Sequence, residues 1–216
     1  LFLTKTVFAI VLTIIFLVSS WFPKGLSYPF STNNMYVWEI VTIGGGGLFL
    51  SLQPSKERLS GSYLRNVLSK AAPGGLACVL AVLIYFIAFW VSSPATPAVF
   101  EANYEAARTL SVFTFTALSY CVLFRASLPF DRYRTIVFVA MLFFGALFFL
   151  LDVYFTNINP LRSWREVFDI TYQITFEQLV LGIVTLVAMI GAYFLLDWGS
   201  RHISAKNDLR NGGQKS

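Results

Sequence analysis

Apolar residues in this chain fall into six long runs, at about 1–22, 35–52, 74–91, 107–124, 135–154 and 176–196, with short polar connections between them. Each run is near the length a helix needs to cross a hydrocarbon core about 30 Å thick, roughly 20 residues. A membrane β-barrel would alternate apolar and polar positions over about ten residues per strand. The stretch from Met141 to Leu151 does not alternate. All eight prolines (Pro23, Pro29, Pro54, Pro73, Pro94, Pro97, Pro129, Pro160) fall in or beside the connections, as expected if the runs are continuous helices. The five tryptophans (Trp21, Trp38, Trp90, Trp164, Trp198) lie near run ends or in a connection, where an interfacial aromatic belt would place them. The pattern predicts an all-α integral membrane protein. Its six-transmembrane-helix bundle occupies residues 1–198, and a polar tail at 199–216 is expected to be disordered.

Composition narrows the class further. Of 216 residues, 56% are hydrophobic, 17% aromatic and only 12% charged, with a mean hydropathy of +0.67. Soluble domains carry about 25% charged residues, so too little charge is present to coat a soluble fold. The basic residues show a topology instead. Eleven of sixteen lie on one side: Lys56, Arg58, Arg65, Lys70, Arg125, Arg132, Arg134, Arg201, Lys206, Arg210 and Lys215. Lys24, Arg108, Arg162 and Arg165 lie on the other, and Lys5, inside the first run, can snorkel. The positive-inside rule then predicts that both termini are cytoplasmic. The net charge of +5 reports topology, and no folded basic face suggests nucleic acid as a partner. The first run lacks the charged leader and small-residue cleavage site of a signal peptide. The chain opens at Leu1 already inside an apolar run, as a piece of a longer protein would.

Charges at membrane depth are the first candidates for function. Asp152 closes the fifth run and Glu177 opens the sixth, where carboxylates reach headgroups and water. Glu39, in the second run, is open to an interfacial or a functional reading. It precedes Val41-Thr42-Ile43-Gly44-Gly45-Gly46-Gly47. Glycine costs up to about 1 kcal/mol relative to alanine inside a helix, so four in succession ask for a reason. One reason is close approach of a neighbouring helix. The other is an unwound backbone whose carbonyls coordinate a cation, with Glu39 and Thr42 adding side-chain oxygens and Gly44 and Gly45 lining the path. Thr6, Thr13 and Thr114 are secondary pathway candidates, although threonine commonly bonds its own helix backbone, as Ser111, Thr116 and Ser119 also would. Cys78 and Cys121 lack metal-ligand spacing and read as apolar packing. His202 reads as a solvated tail residue.

Two stretches resemble a family. Leu1-Phe2-Leu3-Thr4-Lys5-Thr6, then Thr42-Ile43-Gly44, Leu52-Gln53-Pro54, Lys56-Glu57-Arg58, Leu64-Arg65 and Pro73-Gly74-Gly75, are similar in order and spacing to the fifth to seventh transmembrane helices of bacterial cation-transporting P-type ATPases. The remaining runs agree in number, orientation and loop charge. The resemblance implies the C-terminal membrane portion, the fifth to tenth helices, of a pump driven by aspartyl phosphorylation in a bacterial cell membrane. It also implies ATP and Mg²⁺ as cofactors of cytoplasmic domains that would be its partners. This stretch contains no DKTGT motif and no nucleotide-binding domain, so on its own it is not expected to hydrolyse ATP. Calcium pumps carry an asparagine and then V-T-D-G-x-P-A in the sixth helix. Aligned there, Glu39 takes the asparagine position, Ile43 the aspartate, and Gly46 and Gly47 the proline and alanine.

The alternative is a free-standing six-helix protein, a secondary transporter or scaffold, although no repeat relates the two three-helix halves. A membrane enzyme finds no HExxH, His cluster or paired carboxylates. Because Glu39, Thr42 and backbone carbonyls offer only oxygen, the expected cation is of the Ca²⁺ or Mg²⁺ class.

Overall fold

The computed structural model describes residues 1–21, 28–52, 63–92, 97–158, 170 and 174–212. It is all-helical, with no strand among the described residues. Helix α1 spans Phe2–Ser19. A composite helix follows: α2 (Thr32–Val37), a π-helical segment (Trp38–Gly45) and α3 (Gly46–Ser51) wind without a break. Then come α4 (Tyr63–Ser92), α5 (Pro97–Ala126), α6 (Arg132–Ile158) and α7 (Phe176–Gly212). Five single helices are long and apolar enough to cross a membrane, within Phe2–Ser19, Val67–Val91, Val99–Ala126, Arg132–Tyr154 and Phe176–His202. The composite helix covers the second apolar run. The chain is a multi-pass membrane protein.

Helix α4 is central and packs against α1, α5 and α7, while the composite helix sits between α5 and α6. On α1 the buried positions are Thr4, Phe8, Leu12 and Phe16, one stripe at a spacing of four. Ile10, Ile14 and Leu17 on its other face are exposed. Apolar faces of α6 (Ile136, Val139, Phe143) and α7 (Ile183, Val184, Val187) are likewise outward. Lipid is as apolar as leucine, so the bundle is held by close packing and buried polar bonds. The sequence Pro73-Gly74-Gly75 gives a close approach between helices. A Cβ on Gly75 would lie 2.9 Å from the Thr4 carbonyl oxygen of α1, and one on Gly74 would lie 2.7 Å from Val122 of α5.

Several expectations change. Pro73 lies inside α4, not in a connection; backbone groups it frees are tolerated where neighbouring helices press close, as they do at Gly74 and Gly75. Helix α5 starts at Pro97, ten residues before its apolar run, because proline suits a helix's first position and polar residues there remain helical. Helix α7 passes the hydropathy boundary at 198 and runs to Gly212, so the tail expected to be disordered is helical that far. No proline or glycine interrupts Ser200 to Arg210, and good helix formers carry the winding on. Trp38 does not belong to an interfacial belt: it is 1% exposed. Trp21, Trp90 and Trp198 are exposed, and Trp164 lies outside the described residues. Asp152 lies two residues from the end of the span Arg132–Tyr154, where the sequence placed it, but is buried at 4% exposure.

Candidate functional site

The composite helix begins earlier than its apolar run. The Asn34 side-chain oxygen accepts from both the N–H and the hydroxyl of Ser31, each at 2.9 Å, fixing the helix start at Thr32. Glu39 is thus seven residues inside the helix, and its depth can be read from its neighbours. Trp38 packs edge-on to Phe8 of α1, with ring centroids 5.2 Å apart, and against Phe115 of α5 at 4.8 Å. Thr114, next to Phe115, bonds the Tyr85 hydroxyl at 2.7 Å, and Tyr85 donates to the Gly182 carbonyl at 3.2 Å. Tyr85 is seven residues from the end of α4 and Gly182 six from the start of α7, which at 1.5 Å per residue is roughly 10 Å from that end of the bundle. Twelve residues from Glu39 to Ser51 add about 18 Å on the other side. Glu39 thus lies roughly 10 Å from one end of the bundle and about 18 Å from the other.

The π winding explains part of the glycine run. A Cβ on Gly44 would lie 2.9 Å from the Glu39 carbonyl oxygen, closer than a real Cβ stands. Gly44 and Gly45 are the last residues of the wide turn, and the backbone is widened there, not unwound. Gly45 and Gly46 serve close approach as well: a Cβ would meet the Met141 sulfur of α6 at 2.8 Å and Leu123 of α5 at 2.8 Å. Of the two explanations offered by the sequence, close approach applies at Gly45 and Gly46, and at Gly44 a π turn stands where an unwound backbone was expected. The Thr42 hydroxyl donates to the Trp38 carbonyl at 2.6 Å and accepts from Ser119 of α5 at 3.2 Å. It is fully buried.

Glu39 has a partner that the sequence reading left aside. The Lys5 ammonium of α1 pairs with its carboxylate, and both side chains are about one-third exposed (33% each). The signal was available: Lys5 and Glu39 are opposite charges at membrane depth in consecutive apolar runs. Three buried polar atoms, Thr4 Oγ1 beside Lys5, Trp38 Nε1 beside Glu39 and Thr116 Oγ1 on α5, have no hydrogen-bond partner among the described residues. Thr116 is one turn from Ser119, and Trp38 is beside Glu39. The neighbourhood therefore offers one carboxylate, hydroxyls and carbonyls, an oxygen set suited to a hard cation. No group of three His, Cys, Asp or Glu side chains converges among the described residues.

The secondary candidates separate. Thr6 and Thr13 are on the exposed face of α1, and the Thr6 hydroxyl bonds the Phe2 carbonyl of its own helix at 3.1 Å. Thr114 is buried in the bond with Tyr85. At the basic end, Asp197 of α7 accepts from Arg125 of α5 at 3.1 Å and also pairs with Arg201. Its side chain is nearly buried, so this pair fastens α5 to α7. His202 lies against the Trp198 ring, with centroids 4.3 Å apart.

Comparison with known proteins adds one similarity. Over 142 residues, 63% of its length, the chain is 29% identical to the calcium-transporting ATPase CtpE of Mycolicibacterium smegmatis. The match spans 17% of that relative's length. No family model and no solved structure matches the chain.

Proposed function

We propose that this chain is the membrane portion, the fifth to tenth helices, of an ATP-driven P-type cation pump of the bacterial cell membrane. In this reading both termini face the cytoplasm, residues 1–198 form the transmembrane domain, and 199–216 extend from it. ATP and Mg²⁺ act in phosphorylation and nucleotide-binding domains outside the chain. The observation that carries the reading is Glu39, a carboxylate within the helix bundle on a π-helical turn and paired with Lys5 of another helix, in a chain similar to a calcium-transporting ATPase. π turns inside helices recur at functional sites. Intramembrane carboxylates facing other helices mark ion paths. Glu39, the Thr42 hydroxyl and carbonyls about Gly44 and Gly45 would supply oxygens to a cation of the Ca²⁺ or Mg²⁺ class.

Two measurements test this. The coding sequence upstream of Leu1 should encode DKTGT; a start codon immediately before Leu1 in an intact genomic context would refute the pump reading and favour a free-standing six-helix protein. In the complete pump, Glu39→Gln should abolish cation-stimulated phosphorylation. Unchanged ion dependence would remove Glu39 from the path.

A further inference from the structure

We propose that Lys5 makes the Glu39 site selective for divalent over monovalent cations by acting as a tethered monovalent competitor, an inference that rests on the cation-site reading above. A carboxylate set among apolar helices needs a compensating charge. Here that charge is the Lys5 ammonium, contributed by a different helix, and Lys5 pairs with no other carboxylate among the described residues. The ammonium is a compact single charge with three donors on a flexible four-carbon stem. It can occupy the carboxylate, withdraw along α1, and never leave the protein.

Tethering sets its competitive strength. A short flexible link holds a group at an effective concentration in the millimolar range or above. Sodium or potassium carries the same single charge and must displace an ammonium that is always present. A divalent ion at the same distance has twice the Coulomb attraction for the carboxylate. The one-third exposure of both side chains leaves the pair reachable for such an exchange. Thr42 does not offer this discrimination, because its hydroxyl is neutral and already bonded on two sides.

The test is equilibrium binding of radioactive Ca²⁺ to the full-length protein that carries this chain, purified into phosphatidylcholine nanodiscs. NaCl is varied against N-methyl-glucamine chloride at constant ionic strength, so that screening does not change. In the wild type, Na⁺ should leave Ca²⁺ affinity unchanged. Lys5→Met should bind Ca²⁺ about tenfold more tightly without Na⁺, and Na⁺ should remove that gain. Lys5→Arg keeps the tethered charge and should behave as the wild type, which separates charge from packing and provides a folded comparison. Glu39→Gln should abolish Ca²⁺ binding. If Na⁺ has no effect on Lys5→Met while Glu39→Gln still abolishes binding, the competitor role is overturned and the cation site stands. If Glu39→Gln binds Ca²⁺ as the wild type does, both fall.

Discussion

Replacing Gly44 by alanine would place a methyl carbon 2.9 Å from the carbonyl oxygen of Glu39, which is backbone and cannot turn aside. In an ordinary helix interior the same change stabilises by up to about 1 kcal/mol, because alanine loses less entropy than glycine. Overpacking against a rigid neighbour costs about 1–3 kcal/mol. The clash should therefore exceed the propensity gain, for a net destabilisation of about 1 kcal/mol. Gly47 provides the control. Its added Cβ would meet the Phe2 ring at 3.7 Å, an ordinary contact, so Gly47→Ala should stabilise by about 0.5–1 kcal/mol. The two variants should differ by about 2 kcal/mol and in sign. Gly46→Ala should fall between them, since Leu123 Cδ1 at 2.8 Å is the far end of a side chain that can shift. Unfolding in mixed micelles of rising dodecyl sulfate content, followed by circular dichroism, measures these differences. If Gly44→Ala stabilises as much as Gly47→Ala, the turn at Glu39 is not wide and the account given for Gly44 is wrong.

Two further predictions concern buried polar bonds. Thr42→Val keeps the shape but removes a donor to the Trp38 carbonyl and an acceptor for Ser119, and should cost about 0.5–2 kcal/mol in the same unfolding assay. Thr13→Val, on the lipid face, should cost nothing measurable, and equal effects would refute the burial contrast. Asp197→Asn removes the charge that Arg125 and Arg201 share, and should destabilise the α5–α7 contact by about 1–3 kcal/mol. A stability that Asp197→Asn leaves unchanged would show that the pair does not fasten the two helices.

The transmembrane helices were legible because apolar length decides whether a segment can span a bilayer, and composition alone reports it. Their ends were less legible. Residues 97–106 and 199–212 are polar enough to leave the hydrocarbon yet remain helical, since winding depends on propensity and packing rather than hydropathy. Trp38 was misplaced for a related reason: a residue's usual location says nothing of the particular pocket that Phe8 and Phe115 make for the Trp38 ring. Glu39 and Thr42 stood out as polar residues beside an improbable glycine run. Their partners Lys5 and Ser119 lie 34 and 77 residues away in the chain, and only packing brings them together.

The π segment also sets the rotational phase of the helix that contains it. In an α-helix each residue advances the chain by about 100°. If the wide turn tightened by one residue, α2 would swivel against α3 by about that angle. Both halves are held: on one side Glu39 by Lys5 and Trp38 between two rings, on the other Gly45 and Gly46 against Met141 and Leu123. The two halves could not both keep those neighbours through such a swivel. The π segment therefore fixes one azimuthal setting of the two halves, and α1, through Lys5, is among the contacts that hold it.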